Sequence, residues 1–168
     1  MKLNRGLATV LLGLTLCFSL AAAAQTVIDF SSLPVTDKPL PIPDGYAGMN
    51  WGNINYITTQ LKDDVRNIAV PSFFSTAQTM SSADPNQPFW MLGAAVVGQP
   101  NTTLTLYAYK NGSFVGSKRY PLAWRLTPIR IPPDWGGITQ VTFVCTDSQR
   151  KPAMYNLWSL TLQRAPGD

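Results

Sequence analysis

The 168-residue sequence contains no histidine and no glutamate. The first absence excludes Ser-His-Asp and Cys-His nucleophilic sites and every histidine-ligated zinc or copper centre. The second leaves aspartate as the only side-chain carboxylate for acid–base work. No GxSxG elbow, Walker loop or dinucleotide fingerprint occurs, so the chain is expected not to be an enzyme. Charge is sparse, and no basic run, Lys118-Arg119 included, exceeds two residues, which argues against a nucleic-acid partner. Apolar residues never recur with a sustained 3.6-residue period, so long helices are not expected.

Cysteine is also scarce, with Cys17 and Cys145 alone. Residues 1–24 read as a secretory signal peptide. Lys2 and Arg5 form its basic start, Leu7 to Leu20 its apolar run, and Ala22-Ala23-Ala24 its cleavage pattern before Gln25. The apolar run is shorter than the roughly 20 residues that span a bilayer. Leu16, where a small residue should precede a lipidated cysteine, argues against a lipoprotein. Cleavage removes Cys17, so no intramolecular disulfide can form. It leaves 11 basic and 9 acidic residues, a net charge of +2 in place of +4. The expected location is secreted and extracellular, or periplasmic in a Gram-negative source, with no membrane association after cleavage.

What is present reads as short strands and turns, with proline and glycine punctuating residues 25–168. Leu104, Leu106 and Ala108 alternate with Thr105, Tyr107 and Tyr109, and Asn111-Gly112 follows, the strongest short-range hairpin signal. Val141, Phe143 and Cys145 share one parity, which predicts a buried thiol. Met154, Trp158, Leu160 and Leu162 alternate with polar neighbours in the last strand. Residues 31–44 hold four prolines and read as an ordered loop or a strand crossing between sheets. Eight to ten strands in one domain over residues 25–168 predict an all-β fold, a single antiparallel β-sandwich of jelly-roll or Greek-key topology.

The segment Asp44 to Ile57 is rich in glycine, asparagine and aromatic residues. Met49 and Trp51 have one parity, and Ile54 and Tyr56 the other. This predicts a β-bulge near Gly52-Asn53 with a kink at Gly52 and Met49 and Trp51 in the core. Asn53, Asn55 and Tyr56 are then the residues left for a ligand. Trp90, Trp124 and Trp135 sit among polar or turn-forming neighbours and are further candidates, because exposed aromatic rings stack on sugar faces. Core packing is the competing reading for each tryptophan. Asp29 is the candidate ligand of a structural Ca²⁺, and no other cofactor is implied. Asn101 and Asn111 head glycosylation sequons that count only in a eukaryotic source.

Three runs carry a family likeness: Gly45-Tyr-Ala-Gly-Met-Asn-Trp51, Leu106-Tyr-Ala-Tyr-Lys-Asn-Gly112 and Trp135-Gly-Gly-Ile-Thr-Gln-Val-Thr-Phe143. With them the chain resembles secreted fungal and bacterial jelly-roll β-sandwich proteins of unassigned function, similar in shape to galactose-binding-like and carbohydrate-binding modules. Relatives often end in a strand bearing an acidic pair that helps hold calcium. Here Tyr155-Asn-Leu-Trp158 has no acid, which weakens the calcium inference. No sorting anchor follows Gln163, so free secretion is expected. The expected function is a secreted, non-catalytic module that binds carbohydrate or another cell-surface polymer. The alternatives are a structural or protein-interaction module of the envelope or matrix, and an aspartate-based glycan-cleaving enzyme.

Overall fold

The computed structural model of the protein describes residues 25–61, 64–72 and 77–164. The expected signal peptide, Asp63 and residues 165–168 lie outside them. Twelve strands form among the described residues: β1 Gln25–Ile28, β2 Leu40–Pro41, β3 Met49–Gly52, β4 Ile54–Leu61, β5 Asp64–Pro71 and β6 Gln78–Ser82, then β7 Phe89–Gly98, β8 Thr103–Lys110, β9 Ser113–Pro121, β10 Thr127–Arg130, β11 Gln140–Thr146 and β12 Tyr155–Arg164. The number exceeds eight to ten because the proline-rich segment contributes β2 and because residues 49–61 divide into two strands.

The strands form two antiparallel sheets packed as a sandwich. The larger sheet runs β10-β7-β12-β5-β4-β2, with β1 also paired to β12, and the smaller runs β3-β6-β11-β8-β9. From β5 onward the chain passes repeatedly between the sheets, as in a jelly roll. Leu104, Leu106, Ala108, Val141, Phe143 and Cys145 line the inner face of the smaller sheet. Ile54, Tyr56, Val96, Leu157, Leu160 and Leu162 line that of the larger. The ring of Phe143 stacks on Tyr155 across the interior, with centroids 6.4 Å apart, and the Tyr155 hydroxyl donates to Gln78 Oε1 at 3.3 Å.

The Asn111-Gly112 turn forms as the sequence predicts. Both residues have positive φ, 49° and 78°, between the closing pair Lys110 and Ser113. Met49, Trp51, Ile54 and Tyr56 are all buried, and the parity conflict has a different cause from the bulge expected. The chain leaves the smaller sheet after Gly52 and enters the larger at Ile54. Asn53, with φ of 58°, makes the turn. Side chains of opposite parity reach the same core because they approach it from opposite walls.

Trp158 is a second departure. A register shift between Leu157 and Ser159 interrupts the alternation of β12. Leu157, Leu160 and Leu162 stay inside, whereas Trp158 is half-buried, with the Arg66 guanidinium 5.2 Å from its ring centroid. Cys145 is a free, buried thiol. Burial pushes its pKa up to about 11, although a Thr102 hydrogen bond opposes the shift. Because the thiolate is the reacting species, native protein at pH 8 is expected to resist a thiol reagent that labels the urea-unfolded chain at once. Rapid native labelling would show that this wall of the core opens.

Candidate functional site

The residues singled out from the sequence do not converge. Tyr56 is 4% exposed and Trp135 4% exposed, so both are core side chains and not ligand platforms. Their polar sequence neighbours misled because burial here is set by the opposite sheet. Trp90 is half-buried on the outer face of the larger sheet, opposite Gln163, and packs close to Gly136. Asn55 lies on that same outer face, opposite Val70 on β5. Asn53 is exposed at the crossing, its amide donating to the Ala77 carbonyl at 3.2 Å. Trp124, 70% exposed, stands on the loop between β9 and β10 beside exposed Leu126. Asn101 and Asn111 occupy exposed turns with positive φ, which accounts for both without a modification.

Asp29 Oδ1 accepts from the Ser31 backbone N–H at 3.1 Å and from its hydroxyl at 2.7 Å. Those two hydrogen bonds hold the carboxyl below its ordinary value. A Ca²⁺ ion takes six to eight oxygens. Among the described residues no group of three or more acidic, cysteine or histidine side chains surrounds Asp29, and Arg66 lines the same cleft. The residues do not fit a calcium site.

Asp29 and Asp64 both line that cleft, whose volume is about 250 Å³. A two-carboxylate glycosidase needs one carboxyl kept protonated by its surroundings. Asp29 is shifted the opposite way, and Asp64 is paired with the Arg66 guanidinium. The direction of the Asp29 shift does not suit that carboxyl to the proton-donor role.

A different surface concentrates binding chemistry. The inner residues of β8 and β11 are apolar, so alternation turns Thr103, Thr105, Tyr107 and Tyr109 of β8 to the outer face. On β11 it turns Gln140, Thr142, Val144 and Thr146 the same way. The register places Gln140 opposite Tyr109 and Thr142 opposite Tyr107. On the other flank Phe114 lies opposite Tyr109 and Arg119 opposite Thr105. The Tyr109 and Phe114 rings meet edge-on, centroids 5.9 Å apart, and Phe114 is 60% exposed.

Arg119 reaches this face through a bulge. Between Ala108 and Tyr109 the register on β9 skips Val115. Were Val115 paired in regular register from the turn, Lys118 and Tyr120 would face outward and Arg119 inward. Instead the Tyr120 side chain closes the edge of the sandwich, its hydroxyl donating to the Arg130 carbonyl on β10 at 2.7 Å. A shallow depression of about 380 Å³ lies between Tyr107, Thr105, Arg119, Thr146 and Arg150. Among the described residues no carboxylate lines it. The Tyr107 and Tyr109 placements were readable from their alternation with Leu104, Leu106 and Ala108. Those of Arg119 and Arg150 were not, since they depend on a bulge and a tight turn.

No protein-family model matches the chain, and no curated protein sequence matches it. Among solved structures it is similar to a Stig cyclase, Fisc from Fischerella sp. TAU, at 11% identity, over 83% of this chain and 95% of that one, with a TM-score of 0.44. It is similar to a family two carbohydrate esterase from Cellvibrio japonicus at 13% identity over 88% of this chain, spanning 36% of the esterase, with a TM-score of 0.43. It is similar to CtCBM11 at 14% identity, over 88% of this chain and 99% of that one, with a TM-score of 0.39. Likenesses this distant carry neither ligand nor activity across.

Proposed function

We propose that the protein is a secreted, non-catalytic β-sandwich that binds carbohydrate, or another cell-surface polymer, through the outer face of its smaller sheet. One observation carries the proposal. That face brings Tyr107, Tyr109 and Phe114 together with rows of threonine hydroxyls and Gln140. Flat rings beside hydrogen-bonding groups suit a sugar, which has apolar C–H faces and a polar rim. A long, open sheet face suits a polymer better than a small molecule.

Glycan-array screening of the purified chain, followed by titration of the best ligand, tests this. Tyr107→Ala and the double substitution Tyr109→Ala/Phe114→Ala are each expected to weaken binding by about tenfold, on the order of 1.4 kcal/mol. Trp124→Ala should leave it unchanged. A second reading, a protein-interaction module, is favoured by the exposure of Trp124 at 70% and Leu126 at 53% on one loop. Loss of binding only in Trp124→Ala would move the function to that loop.

A further inference from the structure

The geometry points to an anionic polysaccharide as the ligand of this face, its carboxylate or sulfate groups held by Arg119 and Arg150. The inference rests on the reading of the face as a glycan site and specifies its chemistry. Both arginines line the depression beside Tyr107. Among the described residues the one ion pair is Arg66–Asp64, so neither arginine is neutralised by an acid. Guanidinium presents a planar fork that matches carboxylate and sulfate oxygens, and its charge-assisted hydrogen bonds are the strong ones.

Arg150 is held in place at a conformational cost. It has φ of 64°, a left-handed backbone that a long non-glycine side chain seldom adopts. The turn around it is fixed by Asp147. The Asp147 carboxylate accepts from the backbone N–H groups of Gln149 and Lys151, each at 2.8 Å. Its carbonyl accepts from the Arg150 N–H at 3.0 Å. The one acid nearby is thereby used by the turn. Glycine would fit that backbone better, so the fold itself has no need of an arginine there.

The wider charge distribution agrees. Residues 85–133 contain five cations, Lys110, Lys118, Arg119, Arg125 and Arg130, and no acid. Four of them occupy β8, β9 and β10 and Arg125 the loop between β9 and β10, at one lateral side of the sandwich. Such a field draws in a polyanion and orients the domain on it.

The test titrates the purified full chain with polygalacturonate and dextran sulfate, each against a neutral counterpart, methyl-esterified polygalacturonate and dextran. Phosphatidylglycerol vesicles form a further arm. One acidic polymer is expected to bind at least about tenfold more tightly than its counterpart, with affinity falling as salt rises. Which acidic polymer wins assigns the anion. Arg119→Gln and Arg150→Gly should each weaken that binding about tenfold and leave neutral-polymer binding unchanged. Arg150→Gly should also melt at the same or a higher temperature, which separates a binding role from a structural one. Equal affinity for charged and neutral polymers, or intact binding in both variants, overturns the acid preference while the glycan site stands. Failure to bind any polysaccharide removes both readings. Binding to vesicles alone overturns the inference in favour of a lipid surface.

Discussion

Replacing Trp135 by alanine is expected to destabilise the fold by about 3–5 kcal/mol, the range for truncating a buried tryptophan. The ring belongs to the hydrophobic core, at the end of a turn closed by the Trp135 N–H on the Pro132 carbonyl at 3.1 Å. It lies directly over Gly116 of β9. A Cβ at residue 116 would come within 2.8 Å of the indole Nε1, a separation that real contacts do not tolerate. Gly116→Ala is therefore expected to destabilise as well, by about 1–3 kcal/mol through overpacking. The two substitutions should not add: with the ring gone, the new methyl has room, and the double variant should cost clearly less than the sum. Urea midpoints of the four proteins measure this cycle. Additive costs would show that ring and strand do not touch, and a Trp135→Ala variant as stable as the parent would return that residue to the surface.

The second large effect is expected at Asn67, which is 4% exposed. Its amide donates to the carbonyls of Phe30 at 3.2 Å and Leu33 at 2.7 Å. Its oxygen accepts from the Thr58 hydroxyl at 2.6 Å, and the Thr58 oxygen in turn accepts from the Thr36 N–H at 2.8 Å. One side chain thus ties residues 30–36 to β4 and β5. Phe30 needs the tie most, since it is fully buried with φ of 61°. Asn67→Ala strands the Leu33 carbonyl and takes the acceptor from the Thr58 hydroxyl, while the Phe30 carbonyl keeps the Leu33 N–H at 3.1 Å, at a cost of about 2–4 kcal/mol. Asn67→Asp keeps the shape and is expected to be nearly as damaging at pH 7, because a carboxylate cannot donate to carbonyls. Its stability relative to Asn67→Ala should rise as pH falls, since protonation restores one donor and the folded state then favours the neutral acid. The same loss in both variants at every pH would show that size, and not donation, is what the site requires.

The sequence exposed what local chemistry controls. Asn111-Gly112 names its own turn because both residues tolerate positive φ, and the parity of Val141, Phe143 and Cys145 shows the buried side of β11. Even the conflict between Met49-Trp51 and Ile54-Tyr56 was visible as a break in phase. Its cause was hidden, because a bulge within one sheet and a crossing between two leave the same trace in the sequence. Trp158 failed for a related reason: the shift after Leu157 changes which parity is inner halfway along a strand. Tyr56 and Trp135 looked available because their sequence neighbours are polar, yet what covers them comes from distant strands. Tyr107 and Tyr109 were legible as the outward half of an alternation. Arg119 and Arg150 owe their positions to one unpaired residue and one left-handed turn, neither of which leaves a mark in composition or periodicity.

The bulge at Val115 therefore works like a reading frame. Every residue of β9 beyond it is assigned to the core or to the outer face by a count, irrespective of its own chemistry. Pairing the same residues with none skipped would present Lys118 and Tyr120 outward and turn Arg119 inward, exchanging a flat, two-pronged cation for a point charge with every amino acid unchanged. A change of register alone, with no change of amino acid, would thus alter what the face offers. A homologue with a single gap at residue 115 would instead be expected to keep its arginine opposite Thr105, on a straight strand in place of a bulged one.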